Sequence, residues 1–312
     1  MTHDWFTIYH SFTLFIFSLH RIESKAKIIT QNPYNYFFFS RMYFTMVNFN
    51  EVNIGGAKFN LPIDENAKNF DWQPISRGQW EPKTFNIISK LLTLRDCALE
   101  VGIENGQTLY TTAFYAGKLL AIEPNVEYIH FAENILAANP SLEKKVILLH
   151  GALSDTNKSS VFAKNERLFD DINFNKDTAP TLIQCYLIED LEQIIKTNIT
   201  FINLDIEGGE YIVLPAMQNW LALRQPVLLL SLHPGFLLSE KQRRQIKFVR
   251  YVRRFREQRK IFNSIKLYKY IYDVDSGKRI SSFQIFRFKF IRSKHAAYSQ
   301  ILCSSYSLDN IL

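Results

Sequence analysis

Cys97–Asn125 reads CALEVGIENGQTLYTTAFYAGKLLAIEPN, and the interpretation of the whole chain starts from this stretch. A short apolar run closes on Glu100, a turn containing Gly102 and Gly106 follows, and a second apolar run ends at Glu123. The segment between the turn and the second run has the length of a helix. This order predicts the first βαβ unit of a doubly wound sheet. A carboxylate at the end of the second strand can accept the ribose hydroxyls of a nucleoside.

The glycine turn bears on which nucleoside the site would take. A dinucleotide fingerprint has the spacing G-x-G-x-x-G, whereas here the spacing is G-x-x-x-G with Glu104 inside the turn. A carboxylate there repels a pyrophosphate, which disfavours a nicotinamide-dependent oxidoreductase. S-adenosylmethionine has no phosphate and carries a sulfonium and an ammonium, which suit Glu100 and Glu104. The glycine spacing alone is also compatible with an ordinary βα turn of any α/β protein.

Four stretches together make a resemblance specific. They are Gly78–Phe85 (GQWEPKTF), Glu100–Thr108 (EVGIENGQT), Ala121–Asn125 (AIEPN) and Asn203–Ala216 (NLDIEGGEYIVLPA). In this order and at these separations the chain resembles the FkbM-type family of S-adenosylmethionine-dependent methyltransferases, over roughly Gly78 to Pro234. Many members have an asparagine where this chain has Glu104.

The resemblance implies both a fold and an activity. The fold is α/β, the Rossmann-like class I methyltransferase fold, with a seven-stranded mostly parallel sheet and helices on both faces. The activity is transfer of a methyl group from S-adenosyl-L-methionine to a hydroxyl oxygen of a glycan, a lipid or a small metabolite. The motifs themselves point to the cofactor, and the oxygen acceptor follows from the resemblance alone.

The expected cofactor-binding residues follow the strand ends and the glycine turn. Glu123 is assigned to the ribose, the two glycines of the turn to the methionine moiety, and the segment Gly151-Ala152-Leu153 to backbone contacts with adenine. The full expected set is Glu100, Gly102, Gly106, Thr108, Glu123, Asn125, Ala152 and Asp205.

The expected catalytic residues are Asp205 and His233, each of which follows an apolar run that reads as a central strand. Ligands of open α/β sheets lie beyond the carboxyl ends of the strands, so both should reach the same site. A neutral imidazole there can take a proton from a hydroxyl. The neighbouring acids Glu207 and Glu210 have an alternative explanation as helix caps, because acids are favoured at helix N-termini. For Glu210, capping is the preferred explanation. No metal site is expected, since these carboxylates lack a histidine at ligand spacing.

Charge is concentrated in one segment. The chain has a net charge of +7, yet Lys241–Phe262 alone holds ten Lys or Arg and one Glu, so the remainder is close to −2. This segment predicts an amphipathic surface helix, or a contact with an anionic partner such as a phospholipid surface, a nucleic acid or a charged glycan. A non-catalytic module that binds an anionic partner through this helix therefore stays an alternative to an enzyme. The sequence carries no strong nucleic-acid signal and does not indicate an oligomeric state.

The chain divides into three predicted parts, an aromatic-rich leader (1–45), a lead-in with an N-terminal helix (46–85) and the methyltransferase domain (86–312). The apolar run Trp5–Leu19 is shorter than the roughly 20 residues that span a bilayer and lacks the flanks of a secretory signal. The leader is expected to be dispensable, with membrane association as the alternative. Three widely spaced cysteines fit a reducing compartment, so we expect a cytoplasmic protein.

Two expectations concern elements near the ends of the domain. For the seventh strand, the alternation Phe286, Phe288, Phe290 is preferred over the segment Gln300–Ser305, with the sixth strand at Ile265–Tyr272. Trp80 and Glu81 are expected to anchor the helix that follows them, and a lid over the cofactor is the alternative.

Overall fold

The computed structural model describes most of the chain from Phe49 onward. The described residues are 49–62, 72–158, 160–162, 181–237, 246–287 and 299–312. The predicted leader 1–45 lies outside them, as do Phe288, Phe290 and most of the long polar segment before Thr181.

Strands and helices alternate through the described part of the chain. The strands are β1 Phe49–Ile54, β2 Ala57–Pro62, β3 Cys97–Val101, β4 Lys118–Glu123, β5 Val146–His150, β6 Ala152–Leu153, β7 Ser160–Phe162, β8 Thr181–Ile183, β9 Cys185–Tyr186, β10 Phe201–Leu204, β11 Val227–Leu232, β12 Tyr270–Asp273, β13 Lys278–Ile280 and β14 Ser299–Ser304. The α-helices are α1 Gln73–Ser76, α2 Pro82–Leu91, α3 Leu109–Tyr115, α4 Val126–Ala137, α5 Pro140–Glu143, α6 Ile188–Ile195, α7 Glu210–Ala216, α8 Gln218–Arg224 and α9 Lys247–Ile265. Two 3-10 helices cover Pro234–Leu237 and Ser282–Phe286.

Among the described residues, the main sheet has eight strands in the order β13-β12-β14-β11-β10-β3-β4-β5. The strands β3, β4, β5, β10 and β11 run parallel, and β14 is antiparallel to both of its neighbours. The chain moves from β3 outward to β5 and then crosses back to β10 and β11. The strand order reverses between β3 and β10. The carboxyl ends of these two strands are therefore the topological switch point of the sheet, where ligands of open α/β sheets bind. This arrangement confirms the predicted Rossmann-like class I methyltransferase fold.

Helices cover both faces of the sheet, so its parallel strands are apolar on both sides. On one face, α2 and α3 pack with the hairpin β1–β2, and Ile88, Leu109 and Phe59 lie in that core. On the other face, α6, α7 and α9 supply Leu191, Leu214 and Ile261. This three-layer packing fixes the strand ends that form the candidate site.

The predicted strand count and the predicted seventh strand were wrong. The inserted antiparallel strand is β14, the segment that had been the second choice, and Phe286 instead ends a 3-10 helix. All six residues of β14 are buried, so their sequence shows no alternation between apolar and polar positions. The eighth strand, β13, pairs with β12 across a tight turn that contains Gly277 (φ 66°).

The predicted sixth strand and basic helix are also shifted. The helix α9 runs on to Ile265, so the strand β12 starts only at Tyr270. The predicted start of the basic helix, before Ile246, lies outside the described residues. None of the helices in the described ranges has the length and apolar character that would carry it across a membrane.

The lead-in, for which the sequence predicted only an N-terminal helix, also contains an antiparallel hairpin. Strands β1 and β2 are joined by Gly55-Gly56, both with positive φ, as tight hairpin turns require. The Tyr115 hydroxyl donates to the Gly55 carbonyl (2.7 Å), and the rings of Phe59 and Tyr110 lie 5.1 Å apart. The hairpin is therefore part of the packed domain.

We expect Phe59→Ala to lower the free energy of unfolding by about 3–5 kcal/mol, because it removes a buried aromatic ring from the core that joins the hairpin to α3. Urea denaturation monitored by circular dichroism measures this change.

The matched control is Lys58→Ala, one residue away on the opposite face of β2. Lys58 is exposed and its contact with Glu51 is a 3.7 Å surface ion pair, so this substitution should change stability by less than about 1 kcal/mol. Equal midpoints for Phe59→Ala and Lys58→Ala would show that the hairpin does not contribute to the core.

Candidate functional site

A cavity of about 220 Å³ opens at the carboxyl ends of β3, β10 and β11, at the switch point of the sheet. Its walls come from the turns after these strands, from the start of α2 and from β14. The lining residues are Trp80, Glu81, Gly102, Ile103, Glu104, Gln107, Thr108, Asn203, Asp205, Glu207, His233, Phe236 and Gln300.

The cavity brings together four of the residues predicted for the site, namely Gly102, Thr108, Asp205 and His233. The other predicted residues are not among its lining residues, and they are Glu100, Gly106, Glu123, Asn125 and Ala152. The contacts of these five residues show which structural roles they have.

The two glycines of the turn are required by the protein itself. Gly102 has φ 80°, and a Cβ there would lie 2.0 Å from the main-chain oxygen of Asp205. The turns after β3 and β10 therefore meet so closely that only glycine fits. Gly106 has φ 79°, and a Cβ there would lie 2.6 Å from the ring of Tyr110. A larger residue at Gly106 would therefore collide with the core side chain of Tyr110, whether or not a ligand is bound.

Glu100 is fully buried behind the cavity. Its carboxylate accepts hydrogen bonds from the hydroxyls of Thr108 (3.0 Å) and Thr112 and from the side-chain amide of Asn203 (2.7 Å). Burial raises the pKa of Glu100 to about 7, although these three donors act in the opposite direction. Glu100 therefore positions Thr108 and Asn203, which do line the cavity.

Glu123 fastens the glycine turn from the neighbouring strand. Its carboxylate accepts from the main-chain N–H groups of Ile103 (3.0 Å), Glu104 (3.4 Å) and Asn125 (2.8 Å). Burial raises its pKa, and the three N–H donors oppose that rise. The carboxylate lies where β4 ends, directly beside the turn that forms one wall of the cavity.

Asn125 and Ala152 have structural partners of their own. The Asn125 side chain caps α4 by accepting from the N–H of Glu127 (2.9 Å). The Ala152 N–H donates to the Gln184 carbonyl (3.0 Å), so this donor is already used within the protein. A contact between this segment and adenine would have to use other atoms.

His233 is held between two carboxylates. Its Nδ1 lies 2.5 Å from Oε1 of Glu210, and its Nε2 lies 3.4 Å from Oδ1 of Asp205. Glu210 is fully buried, and its other oxygen accepts from the Gly208 N–H (2.6 Å). Burial favours the neutral imidazole, but Glu210, Asp205 and Glu207 outweigh it and raise the pKa of His233 to about 9. These carboxylates therefore favour the protonated imidazole over the neutral form that the sequence interpretation assigned to His233.

The wall formed by α2 and β14 contains Glu81, which the sequence offered only as part of an alternative lid, and Gln300, which sequence reasoning missed. Glu81 precedes α2 in the left-handed region (φ 42°), and its carboxylate accepts from Thr84 (3.0 Å) and from Gln300 (3.2 Å). Burial and the nearby Asp205 raise the pKa of Glu81 to about 7. The sequence placed Glu81 at the start of a helix, but it could not show that this helix start meets β14 through Gln300.

The cavity is strongly acidic. Its lining includes the carboxylates of Glu81, Glu104, Asp205 and Glu207, with the imidazole of His233 as the one cationic group among the lining residues. Clefts lined by charges of one sign attract ligands of the opposite sign. The cavity is therefore suited to a ligand with positive charge and unsuited to a phosphate. Within the described ranges, no cluster of His, Cys, Asp and Glu has an arrangement that could hold a metal ion.

Comparisons with solved structures return methyltransferases. The methyltransferase FkbM from Methylobacillus flagellatus KT is 21% identical with a TM-score of 0.33, and the match covers 46% of this chain and 35% of that one. The putative methyltransferase SMU.1697c from Streptococcus mutans, solved with SAH, is 10% identical with a TM-score of 0.38, covering 70% and 93% of the two chains. The 16S rRNA N2 G1207 methyltransferase of T. thermophilus, solved with AdoMet and guanosine, is 14% identical with a TM-score of 0.36, covering 84% and 51%.

These similarities concern the fold. The chain spans about a third of the length of the FkbM protein and about half of the length of the rRNA methyltransferase. No protein-family profile matches the chain, and no curated protein does. The function is therefore inferred from the strand order and from the geometry of the cavity.

We expect Glu210→Gln to lower the pKa of His233 from about 9, because it removes the nearest carboxylate while burial still favours the neutral imidazole. Long-range ¹H–¹⁵N NMR spectra of the imidazole nitrogens, recorded against pH, measure this value. Because the folded-state pKa lies above the ordinary 6.5, the stability that this proton contributes is complete below pH 6.5 and is lost as pH rises through 9.

The matched control is Glu133→Gln, which removes the carboxylate 3.0 Å from the exposed His130 and should leave the His233 titration unchanged. A His233 that titrates below pH 7 in the unmodified protein would contradict the assigned ion pair.

Proposed function

We propose that the protein is an S-adenosylmethionine-dependent methyltransferase that acts on a hydroxyl oxygen. The observation that carries this proposal is the acidic cavity at the switch point between β3 and β10. That position is where doubly wound sheets bind nucleoside ligands, and the charge of the cavity suits a nucleoside with a cationic sulfonium and ammonium. The resemblance of the glycine turn and of the D-x-E-G-x-E stretch to the FkbM-type family supports the same function.

The residues present suit both the ribose and the methionine moiety of this cofactor. Glu123, at the end of β4, is the proposed ribose ligand, and the turn from Gly102 to Glu104 is the proposed neighbour of the methionine moiety. Asp205 is 35% exposed at the end of β10, where its carboxylate can face the positive charge. Bound there, S-adenosylmethionine supplies a methyl group already activated by the sulfonium.

The protein's part in the reaction is then alignment of the acceptor and removal of its proton. Asp205 and His233 are the proposed catalytic pair, since both lie at the cavity and their side chains are 3.4 Å apart. With a cation held beside Asp205, the pKa of His233 would be lower, and the neutral imidazole would be available to take the hydroxyl proton. Glu81, with a pKa of about 7, is the second proposed proton acceptor.

The proposed acceptor side is the wall formed by Trp80, Glu81, Phe236 and Gln300. Aromatic faces, a carboxylate and an amide suit a hydroxylated acceptor such as a glycan or a small metabolite. The carboxylates disfavour an acceptor whose phosphate would lie in the cavity. The same argument disfavours a nicotinamide-dependent oxidoreductase, because the pyrophosphate of its cofactor would meet Glu104.

We expect Glu123→Ala to weaken S-adenosylhomocysteine binding by about 1.5–3 kcal/mol, the range for loss of charge-assisted hydrogen bonds. Isothermal titration calorimetry gives the affinity. Glu123 also holds the glycine turn, so Glu123→Gln, which keeps an acceptor oxygen for that turn, separates loss of the ribose ligand from loss of the turn.

Glu143→Ala is the control, because it changes an exposed carboxylate on the short helix α5. NADH should not raise the melting temperature, whereas S-adenosylhomocysteine should, because a ligand that binds the native state stabilises it by RT ln(1 + [L]/Kd). Stabilisation by NADH alone would favour the oxidoreductase, and no response to either ligand would favour a non-catalytic module.

We expect His233→Ala to lower turnover by about 10²–10⁴-fold while S-adenosylhomocysteine affinity survives, because the proposed role of His233 is on the acceptor side. Intact-mass screening of glycans, lipids and small hydroxylated metabolites identifies the acceptor, and single-turnover methyl transfer then measures the rate. Glu81→Gln, assayed in parallel, tests the second proton acceptor. A His233→Ala rate within about threefold of the unmodified enzyme across pH 6–10 would remove His233 from the mechanism.

A further inference from the structure

The helix α9 presents an apolar stripe to solvent. Phe248 is 73% exposed, Val252 49%, Tyr251 43% and Phe255 42%. The spacing of these residues is i, i+3, i+4 and i+7, which places them on one side of the helix. Four large apolar side chains on one exposed ridge are more than the scattered exposure that a soluble surface ordinarily shows.

The sector of α9 next to this stripe fixes how the stripe is oriented. Gln258, Ile261 and Ile265 are buried against the sheet domain. The side-chain amide of Gln258 donates to the Ile285 carbonyl (3.1 Å), and its oxygen lies 3.3 Å from the hydroxyl of Tyr211 on α7. These contacts fix the rotation of the helix. The apolar stripe lies beside the buried sector, where the ring of Phe255 is 4.9 Å from that of Phe286.

A row of cations runs beside the apolar stripe. Arg253, Arg256 and Lys260 are exposed and recur at i, i+3 and i+7, on the sector next to that of Phe248 and Phe255. Lys260 is paired with Glu257 (2.5 Å), and exposed Arg259 adds a further positive charge at the same end. The helix thus has three sectors, of which one is buried, one is exposed and apolar, and one is exposed and basic.

The apolar surface extends beyond the helix. Phe283, in the 3-10 helix Ser282–Phe286, is 71% exposed, and its ring lies 4.9 Å from that of Phe262 near the end of α9. Ile246, at the other end, is also 71% exposed. Exposed apolar residues therefore lie near both ends of the helix as well as along the stripe.

We propose that α9 docks the protein on an anionic phospholipid surface, with the stripe from Phe248 to Phe255 in the headgroup region and the arginines on the lipid phosphates. An interfacial helix has this composition, with aromatic and aliphatic side chains on one side and Arg or Lys beside them. Ile246 and Val252 have no face on which a base can stack, which favours a lipid over a nucleic acid. The chain outside Lys241–Phe262 is close to −2, so the net positive charge belongs to the segment that contains α9, and this asymmetry orients the protein on the surface.

Flotation of the full-length protein with lipid vesicles tests this docking. We expect binding to vesicles of phosphatidylcholine and phosphatidylglycerol (7:3) and at least about tenfold weaker binding to phosphatidylcholine alone. The triple variant Arg253→Gln/Arg256→Gln/Arg259→Gln should lower the partition coefficient by about 100-fold, or about fivefold for each charge. Phe248→Ser/Val252→Ser should lower it by about tenfold or more without changing the melting temperature, since both side chains are exposed.

Matched controls on other surfaces are Arg95→Gln and Leu223→Ser, which change an exposed cation and an exposed apolar residue elsewhere. Both should leave the partition coefficient unchanged. Failure to bind the anionic vesicles overturns the proposal, and so does binding that persists undiminished in the two α9 variants, because it would belong to another segment. Tighter binding to a polyuridine oligonucleotide than to anionic vesicles in the same salt would assign the helix to a nucleic acid instead.

Discussion

The site depends on three buried carboxylates. Two of them lie at the ends of strands, and the third lies at the start of the helix that follows β10. Glu100, Glu123 and Glu210 are removed from water, and a buried carboxylate without donors is costly. Each one therefore keeps its donors in place: Glu100 binds Asn203 across the switch point, Glu123 binds the glycine turn, and Glu210 binds His233. The loops that form the cavity are positioned by these hydrogen bonds together with the packing of the helices.

The same carboxylates give the cavity its electrostatic character. Those that hold the loops lie behind its wall, while Glu104, Asp205 and Glu207 form part of the wall itself. A field that comes from fixed groups in the fold needs no rearrangement when a charged ligand arrives. Among the lining residues, the imidazole of His233 is the group that can compensate part of this negative charge.

Much of the fold could be predicted from Cys97–Asn125 and from the apolar runs that end at Asp205 and His233, because parallel strands with helices between them have one dominant arrangement. The last strand could not, because β14 is buried on both faces and lacks the alternation that marks a half-buried strand. In the site, Asp205 and His233 could be predicted from the sequence because each directly follows a strand. Glu81 was only an alternative and Gln300 was not predicted, since α2 and β14 reach the cavity only through tertiary packing. The charge of His233 depends on Glu210, 23 residues away, and no local pattern encodes that contact.

The extra strand β13 changes what the sheet offers at its edge. Without it, β12 would be outermost, and Ile271 and Tyr272 would stand on an open row of main-chain donors and acceptors. A long apolar edge strand is a template for pairing with another chain. The strand β13 replaces that edge with three residues, two of them the exposed cations Lys278 and Arg279. The hairpin β12–β13 thus protects the sheet from edge-to-edge aggregation, which would otherwise compete with folding at high protein concentration.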